Sequence, residues 1–334
     1  MGVIRAIGLL SGGLDSALAA RLVLDQGIEV VGLHLRAPTA CRSDVRDVAA
    51  DLGIPLRMKD KGEAYLELLR HPRWGYGRNM NPCLDCRSFM FDLAGPVMEA
   101  ENAQFVFTGE VVGQRPMSQM RNALELLERR SPLEGFILRP LSARLLPETE
   151  PEKRGWVDRA KLLAIAGRGR TAQLDLARRY GLRHYQSPGG GCLLTDANYS
   201  AKLRDLFAHT SEADTGMEDL ELLRLGRHFR VTPELKIVLG RDAGENRRLA
   251  DFENGARWRV EPDGFPGPVA LVCGPRDDAS RAQAVRLIAR YTRAPHAGLQ
   301  VRWRAAAEWR YAPLAAADGA GAPVATDPAA RLRG

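Results

Sequence analysis

Six residues near the start of the chain, Ser11-Gly12-Gly13-Leu14-Asp15-Ser16, constrain its architecture more than any other stretch. They sit between an apolar run over residues 3–10, which reads as a buried strand, and a helical pattern over 16–26 that ends at Gly27. A strand that turns through two glycines into a helix leaves free amides and the positive helix end at the carboxyl edge of a sheet. An anion binds well there. Ser11 and Ser16 are candidate hydroxyl donors to that anion, whereas Asp15 is itself negative and suits a magnesium ion accompanying a phosphate. The lysine of a Walker loop is absent, so transfer of a γ-phosphate is not indicated.

The same alternation continues through the first half of the chain. Strand-like runs at 29–35, 54–58, 105–108 and 136–139 are interleaved with helical patterns over 44–52 and from near Cys86. This order predicts an α/β domain, a doubly wound parallel sheet with helices on both faces. Ser187-Pro188-Gly189-Gly190-Gly191 interrupts any regular element and marks a boundary. Beyond it the pattern changes to a helix over 199–209, strands at 229–231, 236–239, 258–260 and 269–273, and helices over 245–252 and 279–291. That is a smaller α+β domain. The expected division is 1–193, 194–312 and a disordered Ala-, Gly- and Pro-rich tail over 313–334.

With 334 residues and a formal charge of +7, the chain suits two domains and an anionic partner, nucleic acid ahead of a membrane surface. Residues 153–183 are basic and helical in pattern, either a phosphate-binding surface or a solvated helix face. No run is long enough to span a bilayer, and five scattered cysteines make no secreted disulfide framework, so a reducing cytoplasm is expected. Cys273 lies in an apolar strand, where a small buried thiol is ordinary. Cys41 stands beside Arg42, which would lower its pKa.

The remaining cysteines suggest chemistry. Asn81-Pro82-Cys83-Leu84-Asp85-Cys86 carries a CxxC at a loop-to-helix junction, and Cys192 follows the triple glycine. From the residues alone, a CxxC is a redox pair, half a zinc site or two small residues, and no second CxxC or CxxH is present to complete a zinc site.

The first motif matches the SGGxDS of the PP-loop ATP pyrophosphatases at every specified position, and the chain resembles that family. The resemblance implies cleavage of ATP between its α and β phosphates and transfer of AMP to a carbonyl oxygen. With the cysteines added, the chain resembles the tRNA thiolation enzymes, both 2-thiouridylases and 4-thiouridine synthetases. In the 2-thiouridylases one cysteine follows an Asn-Pro segment, another lies in a Gly-rich loop, and the two act through a persulfide; Cys86 and Cys192 match that layout. Cys83 resembles instead the iron–sulfur branch, in which three cysteines hold a 4Fe-4S cluster whose open iron takes a sulfide.

The resemblance therefore implies ATP and magnesium on Ser11, Gly12, Gly13, Asp15 and Ser16, and a cluster on Cys83, Cys86 and Cys192, with Asp15 and these three cysteines catalytic. His34 is a candidate contact for adenine or a core histidine with its hydrogen bonds satisfied. Thr108-Gly109-Glu110 occupies the place of a thiolase loop that carries a His where this chain has Glu110, which puts the acid or base in doubt. Arg115 and Gln119 are candidate phosphate or base contacts, and Trp74, Arg78 and Asn79 candidate RNA contacts.

Residues 199–291 resemble the RNA-binding domain of the NFACT proteins. Arg224, Arg227, Arg230, Lys236, Arg241, Arg247 and Arg248 are its candidate phosphate partners, and His228 with Phe229 its candidate stacking pair; otherwise Leu225 and Phe229 are core and the arginines solvated. The expected partners are tRNA and a sulfide or sulfur-donor protein, with no membrane, and a homodimer is compatible with the sequence. The competing readings are a 2-thiouridylase using a cysteine persulfide, a PP-loop enzyme acting on a small molecule, and a non-catalytic RNA-binding protein.

Overall fold

In the computed structural model, residues 3–40, 44–186, 192–293, 295, 297–305, 308–314 and 324–325 are described. The chain forms two compact units that divide after Cys192, one residue before the expected boundary.

The first unit runs β1 (Arg5–Leu9), α1 (Leu14–Leu24), β2 (Glu29–Arg36), α2 (Val45–Leu52), β3 (Leu56–Asp60), α3 (Ala64–Arg70), α4 (Cys83–Ala100), β4 (Phe105–Thr108), α5 (Arg121–Arg130), β5 (Ile137–Leu138), α6 (Glu150–Lys153) and α7 (Thr171–Tyr180). Its strands pair in the order β3-β2-β1-β4-β5, all parallel. The expected doubly wound sheet is present, and its order reverses between β1 and β4. Such a switch point opens a crevice at the carboxyl ends of those two strands.

Apolar side chains alternate between the two sheet faces. Phe105 and Phe107 join Ala6 in the layer under α1, while Ile7, Leu9 and Val106 pack on the other side against Phe91 and Ala94 of α4. The strands can sit this close because Gly8 lacks a side chain: a Cβ there would fall 2.4 Å from Cζ of Phe107. The basic stretch over 153–183 is not one helix. It divides into the end of α6, a short 3-10 turn at Arg159–Lys161 and α7. Several of its cations are already engaged, Lys153 and Arg154 with Glu150, Arg159 with Glu152 and Arg178 with Asp175.

The second unit runs α8 (Ala197–His209), α9 (Met217–Leu222), β6 (Arg227–Arg230), β7 (Lys236–Leu239), α10 (Ala243–Ala250), β8 (Arg257–Asp263), β9 (Ala270–Cys273), α11 (Asp278–Tyr291), β10 (Gln300–Ala305), β11 (Glu308–Pro313) and β12 (Val324–Ala325). These strands form one sheet, β11-β10-β8-β9-β7-β6-β12. One face buries Ile237, Leu239, Trp258, Val260 and Val272 against Leu287 and Ile288 of α11. The other buries Val238 and Leu271 against Leu222 and Leu249.

The α+β expectation holds, but β10 and β11 were not anticipated. Leu314 is buried, and Val324–Ala325 pairs with Phe229 and Arg230. The rest of the expected tail, 315–323 and 326–334, lies outside the described residues, as does Cys41.

Candidate active site

The turn from β1 into α1 is shaped by its own hydroxyls. Gly12 takes φ 77°, in the left-handed region that favours glycine, and Gly13 caps α1 with extended backbone and no side-chain hydrogen bond. The amides of the first helical turn therefore have no side-chain cap among the described residues and remain donors for an anion. Ser16 is buried, and its hydroxyl donates to Gly13 O at 2.9 Å and lies 3.2 Å from Ser11 Oγ. Ser16 thus braces the loop from within, while Ser11 stays exposed at its mouth.

Asp15 stands beside this loop. Its Oδ2 accepts a 2.7 Å hydrogen bond from Gln114 Nε2 and lies 3.4 Å from Arg170 Nη2. Gln114 is held in turn by buried Gln173, whose Nε2 donates to its Oε1 at 3.0 Å. The other carboxylate oxygen, Oδ1, is buried with no hydrogen-bond partner among the described residues. An orphaned carboxylate oxygen beside an anion-binding loop is the donor a hard cation such as magnesium takes, so Asp15 fits the expected metal.

The end of β4 closes on the same loop. A Cβ at Gly109 would lie 2.4 Å from Ser16 N and 2.5 Å from the Asp15 carbonyl carbon, so the Thr108-Gly109 turn packs directly on the phosphate loop. Glu110 follows and is 1% exposed. Its Oε2 accepts from Arg139 Nε and from Thr108 Oγ1, each at 3.1 Å, and its Oε1 lies 3.5 Å from Arg87 Nε. Glu110 is a buried anchor for two guanidinium groups. His34, near the end of β2 and half-buried, has Nδ1 2.8 Å from Leu10 O.

Cys83 and Cys86 occupy the first turn of α4, with Arg87 next in the chain. Asp85 between them is buried and accepts from the amides of Arg73 and Trp74, at 2.7 and 3.3 Å, which fixes the preceding loop. Burial pushes the Cys83 thiol up from its ordinary range, and the nearby charges of Arg87 and Arg115 oppose that. Burial pulls the Arg115 guanidinium down from its ordinary range, opposed by the charges of Cys83 and Asp15, and Gln114, just before it in the chain, donates to Asp15.

Cys192 reaches this region by another route. Gln186 N donates to Gly12 O, which returns the chain to the phosphate loop just before the triple glycine, itself outside the described residues. The Cys192 thiol then lies 3.6 Å from Thr39 O. Thr39 Oγ1 is 2.7 Å from Tyr65 OH, the Tyr65 ring sits 4.5 Å from Lys61 Nζ, and that ammonium donates to Cys86 Sγ at 3.0 Å. A short polar relay therefore joins the third cysteine to the CxxC. Among the described residues the three sulfurs are not all within 4.8 Å of one another, so they do not form a preset single-ion site. A four-iron cluster places its cysteines on different irons and does not require that spacing. Three soft thiols with Lys61, Arg87 and Arg115 around them suit an anionic cluster.

Residues 3–144 match the family described as thiamine biosynthesis protein (ThiI). In the second unit, residues 226–308 match the NFACT protein RNA binding domain. The chain is 25% identical over 279 residues to the tRNA-specific 2-thiouridylase MnmA of Acidithiobacillus ferrooxidans, covering 75% of each chain. It is 28% identical over 186 residues to MnmA of Thermus thermophilus, covering 47% of this chain and 51% of that one. A solved 4-thiouridine synthetase–RNA complex with bound ATP is 23% identical, with 53% of this chain and 40% of that chain covered and a TM-score of 0.38.

Lys61, Arg87, Gln114 and Gln173 had no motif to announce them; only the fold brings them to the site. Arg170 was visible merely as part of a basic run. In the second unit the candidate stacking pair fails: His228 is 0% and Phe229 2% exposed, both inside the core. Burial, then the charges of Lys202 and Lys236, holds the His228 pKa well below its ordinary value. Several candidate phosphate partners there are engaged as well, Arg230 and buried Lys236 with Asp205, and Arg241 with Glu245.

Proposed function

We propose that this protein is a cytoplasmic ATP-dependent tRNA sulfurtransferase that adenylates a uridine carbonyl and replaces its oxygen with sulfur, forming 4-thiouridine. The observation that carries the reading is the adjacency of two sites in one unit. An anion-binding loop with an orphaned Asp15 oxygen is tied to Gln114, and Arg115, next in the chain, sits among the charges of Cys83 and Arg87.

The amides at the start of α1 hold the ATP phosphates, and Asp15 would hold the magnesium that accompanies them and offsets their charge. The uridine carbonyl oxygen attacks the α-phosphorus and pyrophosphate leaves, with Arg170 and Arg115 offsetting negative charge that builds on the phosphoryl oxygens. Adenylation turns a poor leaving oxygen into AMP. Sulfur then bonds to the activated carbon, and AMP departs carrying the former carbonyl oxygen. Cys83, Cys86 and Cys192 would hold the 4Fe-4S cluster, which when bound supplies the sulfide. Lys61 and Arg87 keep the surrounding charge balanced, and Glu110 fixes Arg87 rather than moving a proton itself.

Anaerobic reconstitution of the full chain tests this. About four irons and four sulfides per chain are expected, with broad visible absorption, and each of Cys83→Ser, Cys86→Ser and Cys192→Ser should lower both iron content and thiolation. One observation favours a second reading, a cysteine persulfide: the Lys61 ammonium sits on Cys86 Sγ, where it would steady a sulfur anion. In that case Cys83→Ser stays active, iron is dispensable, and Cys86 and Cys192 are recovered as a disulfide or persulfide. Nucleoside mass analysis with chromatographic standards separates 4-thiouridine from 2-thiouridine.

A further inference from the structure

The hairpin of β10 and β11 carries the sequence Val301-Arg302-Trp303-Arg304-Ala305 and, after two residues outside the description, Glu308-Trp309-Arg310-Tyr311-Ala312. It holds two of the chain's five tryptophans. Pairing sets Arg302 opposite Tyr311 and Arg304 opposite Trp309. Side chains alternate faces along a strand, so Val301, Trp303 and Ala312 turn into the core under α11, while Arg302, Arg304, Trp309 and Tyr311 share the opposite face. The Trp309 ring lies 4.5 Å from the Arg302 guanidinium carbon and 5.1 Å from that of Arg304. Tyr311 beside them is 50% exposed.

This face has no evident structural need for aromatics. β11 is the outermost strand of the sheet, and large apolar rings on an exposed edge invite unwanted pairing unless they have a use. Arg302 is restrained by Glu261 at 2.9 Å, but Arg304 makes no ion pair among the described residues. Planar rings interleaved with planar guanidinium groups are a surface on which unpaired bases stack, with Arg304 available to a phosphate. Base-paired RNA would not use it, because a helix keeps its base faces inside the stack.

We propose that Arg302, Arg304, Trp309 and Tyr311 form a stacking platform for unpaired RNA bases. It extends past residue 308, where the match to the RNA-binding family ends, and replaces the buried His228–Phe229 pair as the stacking surface of this unit. The proposal rests on the second unit being an RNA-binding module and deepens it by naming the part of the RNA it takes. The net charge of +7 favours an anionic occupant, and the rings interleaved with guanidinium groups favour RNA, whose bases stack, over an acidic-surfaced protein.

The test uses the full chain without ATP, so it is independent of thiolation. A labelled single-stranded RNA of about ten nucleotides, and the same sequence as a blunt duplex, are titrated by fluorescence anisotropy. Trp309→Leu and Tyr311→Leu should each weaken the single strand about fivefold to a hundredfold and leave the duplex unchanged, and Trp309→Phe should recover most of the loss. Arg304→Gln should lower the salt slope by about one unit. Tyr311 is exposed enough that its replacement does not threaten folding, so it decides the matter if Trp309→Leu is unstable. Wild-type affinity of Tyr311→Leu for the single strand, or equal losses on single strand and duplex, would overturn the platform. A chain that shows the selective loss yet makes no thiouridine would remove the sulfurtransferase reading and leave the platform standing.

Discussion

The two units use charge in opposite ways. In the first, polar groups converge on the carboxyl edge of a parallel sheet and some are left incomplete: helix amides without a side-chain cap and an Asp15 oxygen without a partner. In the second, the charges complete one another. Arg257 meets Glu218 and Asp219, Asp205 meets Arg230 and Lys236, and Arg259 meets Glu253 and Glu261. A site for chemistry retains unsatisfied polar atoms that a ligand will satisfy, whereas a scaffold satisfies its own and leaves recognition to an exposed edge. Basic composition alone does not distinguish these uses.

Asp15→Asn should break the first half of that contrast with the largest effect. The isosteric amide keeps the Gln114 contact but loses the charge for the metal. Thiolation of tRNA, read as thionucleoside by mass analysis, should fall about a hundredfold to a thousandfold with the melting temperature unchanged. Wild-type turnover would remove Asp15 from the site.

A matched glycine pair sharpens the comparison. Gly109→Ala drives a Cβ into the backbone of the phosphate loop at 2.4 Å, and Gly226→Ala drives one to 2.7 Å from Leu239 O at a φ of 59°. Each should cost about 1–3 kcal/mol of stability in its own unit by denaturant unfolding. Only Gly109→Ala should also depress ATP–pyrophosphate exchange at temperatures where both variants are folded. Equal loss of exchange in both would mean that the phosphate loop is not specially coupled to the β4 turn.

The smallest effect concerns pH. His228 has its pKa depressed in the folded second unit, by burial first, against 6.5 when unfolded. Below 6.5 the unfolded chain takes up a proton that the folded unit refuses, so stability is fully present above that pH and falls below it. The slope should be about 1.4 kcal/mol per pH unit from this one group. His228→Gln should flatten the unfolding curve of stability against pH by that amount. An unchanged slope would mean that His228 charges inside the fold.

Much of the first unit was legible because its function sits in short contiguous motifs. Ser11 to Ser16 and the CxxC announce themselves wherever the chain folds, and the alternation of apolar runs and helices gave the sheet around them. Lys61, Gln114 and Gln173 were not legible, because each reaches the site from a different connection and carries no local signature. The second unit was read less well for the same reason. Phe229 looks like a stacking residue until pairing of β6 with β7 and β12 turns it into the core. Trp309 and Tyr311 gain a shared face only once β10 and β11 are placed in register. Residues 300–313 are rich in arginine and alanine, which hides the period of two that marks a strand.

The central claim is that the carbonyl oxygen of a uridine leaves on AMP. Transfer RNA carrying heavy oxygen at the reacting uridine carbonyl, incubated anaerobically with the full chain, ATP, magnesium and a sulfide source, should give AMP whose phosphate holds the label. One labelled AMP and one pyrophosphate should form per thiouridine. Thiouridine formed with unlabelled AMP, or with ADP and phosphate as the nucleotide products, would contradict the account.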